Sequence, residues 1–155
     1  MNSVEKKVIN LEELSEQSND SVVLCHGHFN IIHPGHIRYL EYASHQGERL
    51  VVSIEGDSSF FNPEGKHFFN EVERATGVAS IQTVDQVVIL SNGRLEDLIK
   101  VLNPAILVLG KEFEYQQEED DQTNKAVEQL KKQGGQVLFH AGEIHYASAD
   151  LLLDN

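Results

Sequence analysis

Apolar and polar positions follow two alternating patterns along the chain. Short apolar runs occur at Val22 to Cys25 (VVLC), Arg49 to Ile54 (RLVVSI), Val84 to Leu90 (VDQVVIL), Ala105 to Leu109 (AILVL) and Gln136 to His140 (QVLFH). Each has strand length, and the near-continuous apolar character of Arg49 to Ile54 suits a parallel sheet covered on both faces. Between these runs, apolar residues recur three and four positions apart, which is helical spacing. The first such stretch runs from about Gly35 to Gln46, with Ile37, Leu40 and Ala43 in phase, and Gly47 terminates it. The second spans Asn70 to Gln82, with Asn70 as N-cap and Glu73 as its capping-box partner. Leu95 to Leu102 is stopped by Asn103-Pro104, and Thr123 to Gln133 by Gly134-Gly135. Upstream, residues 1–20 form a polar extension with a short amphipathic helix expected from Asn10 to Gln17, capped by Asn10 with Glu13 answering. Five strands alternating with helices predict an α/β fold on a five-stranded parallel sheet.

Composition narrows the class. A chain of 155 residues suits one domain with its own core, here 21–155, behind the 1–20 extension. Acidic residues outnumber basic ones 25 to 12, giving a net charge of −13. That balance argues against nucleic acid, which wants a basic face, and against an anionic membrane surface. It is compatible with a nucleotide, because a few local donors and a metal ion can hold a triphosphate on an acidic protein. The single cysteine, Cys25, lies in an expected strand and reads as buried and structural. One cysteine forms no intrachain disulfide, which fits a reducing cytoplasm. The start, MNSVEKKVINLEELSEQ, lacks a signal-peptide core, and no apolar run approaches the ~20 residues of a membrane span.

The chemistry concentrates in Val22 to Leu40, VVLCHGHFNIIHPGHIRYL. Strand, glycine-bearing loop and helix start form an arrangement that holds phosphates, because first-turn N–H groups and the helix dipole favour negative charge. Gly27 and Gly35 allow close backbone approach, and His26, His28, His33 and His36 offer imidazoles. His33 and His36, three apart at the loop-to-helix junction, can converge on one phosphate. A zinc site on the four histidines is the rival reading; their spacing matches no structural zinc pattern and no second cysteine helps. The long segment Glu55 to Phe69 follows a strand, where open α/β sheets place ligands, and Lys66 is its cation. The acidic run Gln116 to Gln122 reads as a solvated loop.

Gly27 to His36 (GHFNIIHPGH) resembles the G-x-F-D-x-x-H-x-G-H signature of cytidylyltransferase-like nucleotidyltransferases, with Asn30 where that family carries Asp. More narrowly, Val22 to about Leu152 looks like the sugar-phosphate nucleotidyltransferase domain fused to ribokinase-type carbohydrate kinases. It is also similar to glycerol-3-phosphate cytidylyltransferases and heptose-phosphate adenylyltransferases. Phe69-Asn70-Glu71 with Arg74 resembles the family's F-N-E-x-x-R, and Gly110-Lys111-Glu112-Phe113 its G-x-D-[YW] element, with Glu for Asp. Gly142 to Leu152 resembles the last motif, where Ser/Thr residues open a helix on the outer phosphates; here Ser148 alone keeps a hydroxyl, between Ala147 and Ala149.

The resemblance implies a Rossmann-like sheet with helices on both faces, a homodimer, and a carbohydrate kinase as neighbour in a longer polypeptide or a solitary form. It implies transfer of CMP or AMP from CTP or ATP, with Mg2+, onto a sugar or polyol phosphate, releasing pyrophosphate. His33, His36 and Lys66 would be catalytic. Gly27, His28, Phe29, Asn30, Gly35, Arg74, Gly110, Lys111 and Ser148 would contact the nucleotide, and no protein-held metal is expected. The alternative is a nucleotide-binding domain with weak or no turnover, because Asn30 lacks the carboxylate and the terminal motif is thinned. The base of the nucleotide and the acceptor stay open.

Overall fold

The computed structural model describes residues 2–14, 21–59, 69–110 and 121–140. Lys66, Lys111, Ser148 and the motif from Gly142 to Leu152 lie outside these residues. The strands are β1 (Val8–Asn10), β2 (Val22–Gly27), β3 (Arg49–Glu55), β4 (Gln86–Leu90), β5 (Ile106–Gly110) and β6 (Gln136–His140). The helices are α1 (Pro34–Ser44), α2 (Glu71–Ala79), α3 (Leu95–Leu102) and α4 (Asp121–Lys132). All strand pairs are parallel, in the order β1-β4-β3-β2-β5-β6.

Among the described residues the sheet therefore has six strands, one more than the apolar runs indicated. The addition is β1, which pairs with β4 from Val8–Val87 to Asn10–Ile89. Of the helix expected from Asn10 to Gln17, residues 15–17 lie outside the described residues; the part described is a 3₁₀ turn, Leu11–Glu13, followed by Leu14 in extended conformation with ψ 110°. The Asn10 amide does reach Glu13 Oε1 at 3.1 Å, but this side-chain pair caps no helix backbone.

Alternate strand residues face opposite sides of the sheet. On one side, Val23, Cys25, Val52, Ile54 and Val87 pack with Tyr39, Leu40 and Ala43 of α1 and Ala75, Val78 and Ala79 of α2. On the other, Leu24, Val51, Val88 and Leu107 pack with Leu95, Leu98 and Ile99 of α3 and Ala126 and Leu130 of α4. Both faces are covered, which is why the central strands are apolar over most of their length, with His26, Ser53 and Glu55 the buried polar exceptions near their carboxyl ends. Each fully buried Leu or Val contributes roughly 1.5–3 kcal/mol. The capping box expected at Asn70 is present: Asn70 Oδ1 accepts from the Glu73 N–H at 2.8 Å, and Glu73 Oε1 accepts from the Asn70 N–H at 3.3 Å. No helix among the described residues is long and apolar enough to cross a membrane.

From β2 the chain steps outward to β3 and β4, then returns to the other side of β2 at β5. This reversal makes β2/β5 the topological switch point. Pairing there runs from Val23–Ile106 to Cys25–Val108 and stops two residues short of Gly27 and Gly110, where the strands end. The two glycines thus mark the walls of a crevice at the carboxyl ends of the strands, the usual ligand position in such sheets.

Candidate active site

The turn between β2 and α1 is built around a reversed backbone at Phe29, whose φ is 53°. Left-handed geometry at a non-glycine residue costs roughly 1–2 kcal/mol. Burial of the Phe29 ring, 4% exposed within the core, offsets it. The ring lies over Gly27, where an added Cβ would come within 3.1 Å of Phe29 Cε2, and it tilts against His36 with centroids 5.2 Å apart. Phe29 therefore supports the site from inside the core.

His33 is the N-cap of α1, and its Nδ1 accepts from the Gly35 N–H at 3.1 Å. His36 answers, its Nδ1 accepting from the His33 N–H at 3.2 Å. Pro34 at the first helical position has no N–H to satisfy. With both Nδ1 atoms acting as acceptors, each neutral ring carries its proton on Nε2. The rings stack with centroids 3.9 Å apart, so the two Nε2–H donors belong to one rigid unit. His33 and His36 thus lie side by side at the start of α1. His28 is exposed, with its carbonyl held by Arg74. His26 is turned to Ser53 and Glu55, so the four histidines do not converge on a metal. Among the described residues, Asn30 Oδ1 is buried without a hydrogen-bond partner. Such an orphaned acceptor is uncommon in native folds and suits a ligand donor or cation.

Arg74 is neither an exposed helix residue nor a side chain reaching outward to phosphate. It is 2% exposed, and its guanidinium donates to Phe69 O (3.1 Å), His28 O (2.9 Å), Glu55 O (2.7 Å) and Asp57 Oδ1 (2.9 Å). The planar fork suits this task, binding three carbonyls and a carboxylate beneath the turn. Tyr39, absent from the sequence-derived set, donates from α1 to the carbonyl of Val108, where β2–β5 pairing ends. Long-range contacts of this kind leave no local sequence signal.

Burial pushes both histidines below the ordinary imidazole range, His36 to about 4, with repulsion from a charged His33 as the lesser cause. As pH falls, the unfolded chain therefore takes up protons before the folded one does. The neutral pair supports the fold fully above about pH 6.5, and that support is lost as pH drops from there through about 4. Denaturant titrations across this window should show a His36-dependent loss on the order of 2 kcal/mol. A His36→Asn variant with the same acid profile as wild type would refute the assignment.

A family model described as cytidylyltransferase-like matches residues 24–146. The bifunctional protein HldE of Campylobacter jejuni (strain RM1221) is 38% identical over 116 residues, covering 72% of this chain and 25% of that protein. HldE of Pseudomonas fluorescens (strain Pf0-1) is 35% identical over 117 residues, again 25% of its length. The chain thus spans about a quarter of the length of these curated relatives. Among solved structures, the lipopolysaccharide core biosynthesis protein of Thermoplasma volcanium superposes with TM-score 0.62 at 25% identity, over 83% of this chain and all of that one. A pantoate-beta-alanine ligase from Francisella tularensis, TM-score 0.57 at 12% identity over 94% of this chain and 72% of that one, shares the fold alone. The family match takes in both walls of the crevice, so the resemblance carried by Gly27 to His36 extends to the fold that presents them, and the chain belongs to the cytidylyltransferase-like family of nucleotidyltransferases.

Proposed function

We propose that this domain transfers a nucleotidyl group from CTP or ATP to a sugar or polyol phosphate. One observation carries the reading: two stacked imidazoles whose Nδ1 atoms are tied to the backbone and whose Nε2–H groups are held as neutral donors. The reaction needs donors more than it needs a base. An acceptor phosphate oxygen, already ionised, bonds to the α-phosphorus. The bond from that phosphorus to the bridging oxygen breaks, and its electron pair leaves with pyrophosphate. Charge builds on the transferring group, where fixed N–H donors stabilise it without reorganisation. The start of α1 adds backbone donors.

Among the described residues no group of three or more His, Cys, Asp or Glu could hold a metal ion. A magnesium ion fits as a companion of the triphosphate, with phosphate oxygens as its main ligands and Asn30 Oδ1 as a candidate protein ligand. When bound, it would neutralise the polyphosphate.

The test is a thermal-shift screen of CTP and ATP with magnesium, followed by pyrophosphate release with sugar and polyol phosphates. A nucleotide at ~100 times its dissociation constant should stabilise the fold by about 2.7 kcal/mol. No shift at millimolar nucleotide would remove the reading. A second reading, binding without efficient turnover, is favoured by the amide at Asn30. If charge is what the position supplies, Asn30→Asp raises turnover; if an acceptor suffices, the wild type is already active.

A further inference from the structure

A second buried polar cluster lies on the opposite face of the sheet from the histidine pair. His26, Ser53 and Glu55 alternate onto the α3/α4 side, in phase with Leu24 and Val51, and are 7%, 0% and 6% exposed. Ser53 Oγ lies 2.8 Å from His26 Nδ1 and 3.3 Å from Cys25 O, within hydrogen-bond reach of both. Glu55 Oε1 accepts from Gln122 Nε2 at 2.7 Å and meets His26 Nε2 at 2.7 Å. The cluster is thus a buried histidine–carboxylate pair with an amide attached. The carbonyl of the same Glu55 accepts from Arg74 Nη1, which also holds His28 O.

Glu55 thereby joins three pieces that border the crevice: the end of β2, the turn after it, and the first residues of α4. The last of these matters because α4 receives the chain that leaves Gly110, the opposite wall. We propose that Glu55 and Gln122 are positioning residues that fix the separation of the two crevice walls and so set affinity for the nucleotide. The proposal rests on the nucleotidyltransferase reading. It adds residues that touch neither the signature histidines nor the reacting atoms.

Removing one partner of a buried, hydrogen-bonded His–Glu pair endangers folding. The test therefore falls on Gln122, which is partly exposed and outside the pair. Steady-state kinetics with the triphosphate, on variants whose melting temperature has been checked, should show KM raised about tenfold in Gln122→Ala, with kcat changed less than twofold. Gln122→Lys keeps an N–H donor for Glu55 and should return KM to within about threefold of wild type. Gln122→Glu sets like charges together and should be worse than alanine. A helix-stability role alone would not follow that order. If wild type turns over and Gln122→Ala keeps the wild-type KM, or loses kcat instead, the positioning role is overturned and the function reading stands. If wild type binds no triphosphate, the function reading falls and takes this proposal with it.

Discussion

Replacing His36 with alanine is expected to lower kcat for pyrophosphate release by roughly 10²–10³-fold, with a much smaller change in the KM for triphosphate. The split follows from geometry. Under the proposed function, His36 Nε2–H would be a fixed donor whose value grows as charge accumulates on the transferring phosphate, whereas backbone groups at the start of α1 would hold the ground state as well. The substitution also removes the acceptor for the His33 N–H and the stacked face of His33, a structural loss of about 1 kcal/mol. His36→Asn separates the two effects. Its carbonyl can accept from the His33 N–H and restore the cap, yet turnover should stay as low as in the alanine variant. An alanine variant with wild-type kcat would sink the mechanism, whatever its stability.

The largest stability effect is expected at Arg74. Alanine there strands three carbonyls and the Asp57 carboxylate beneath the turn, and should cost about 3–5 kcal/mol. For a chain of this size that is a drop in melting temperature of about 10 °C. Arg74→Lys should recover little, because one ammonium cannot span acceptors arranged for a planar fork. Calorimetry is the direct check, and a shift below 2 °C in the alanine variant would mean that the brace is not what holds the turn. Nucleotide affinity should fall in parallel, since the His28 carbonyl loses its anchor.

These two residues show what was legible in the chain before its structure. His33 and His36 sit three positions apart on one helix start, so their partnership is local and could be read from spacing. Arg74 reaches residues 17, 19 and 46 positions away, contacts that exist only once α2 is packed against the sheet. The Glu55–Gln122 link spans 67 positions and was equally hidden; the acidic run ending at Gln122 read as a solvated loop. The five long strands announced themselves because a doubly covered parallel sheet needs apolar residues on both faces. β1 did not, being three residues long with a polar end, and existing because β4 offered an open edge. The Asn10–Glu13 spacing imitated a capping box, and the two side chains do meet, but the next residue, Leu14, is extended where a longer helix would continue.

The chain carries one cysteine, and Cys25 is fully buried at the last paired position between β2 and β5. Burial pushes its thiol up to about 12, outweighing the opposing influence of the Tyr39 hydroxyl. Near neutral pH the native protein therefore offers no appreciable thiolate, and alkylation waits until the sheet itself opens. A thiol-reactive dye added in excess would then report the opening of the crevice floor through its labelling rate. If the proposed triphosphate sits between Gly27 and Gly110 it would hold that floor shut, and the slowing of labelling would then measure occupancy without any knowledge of the acceptor.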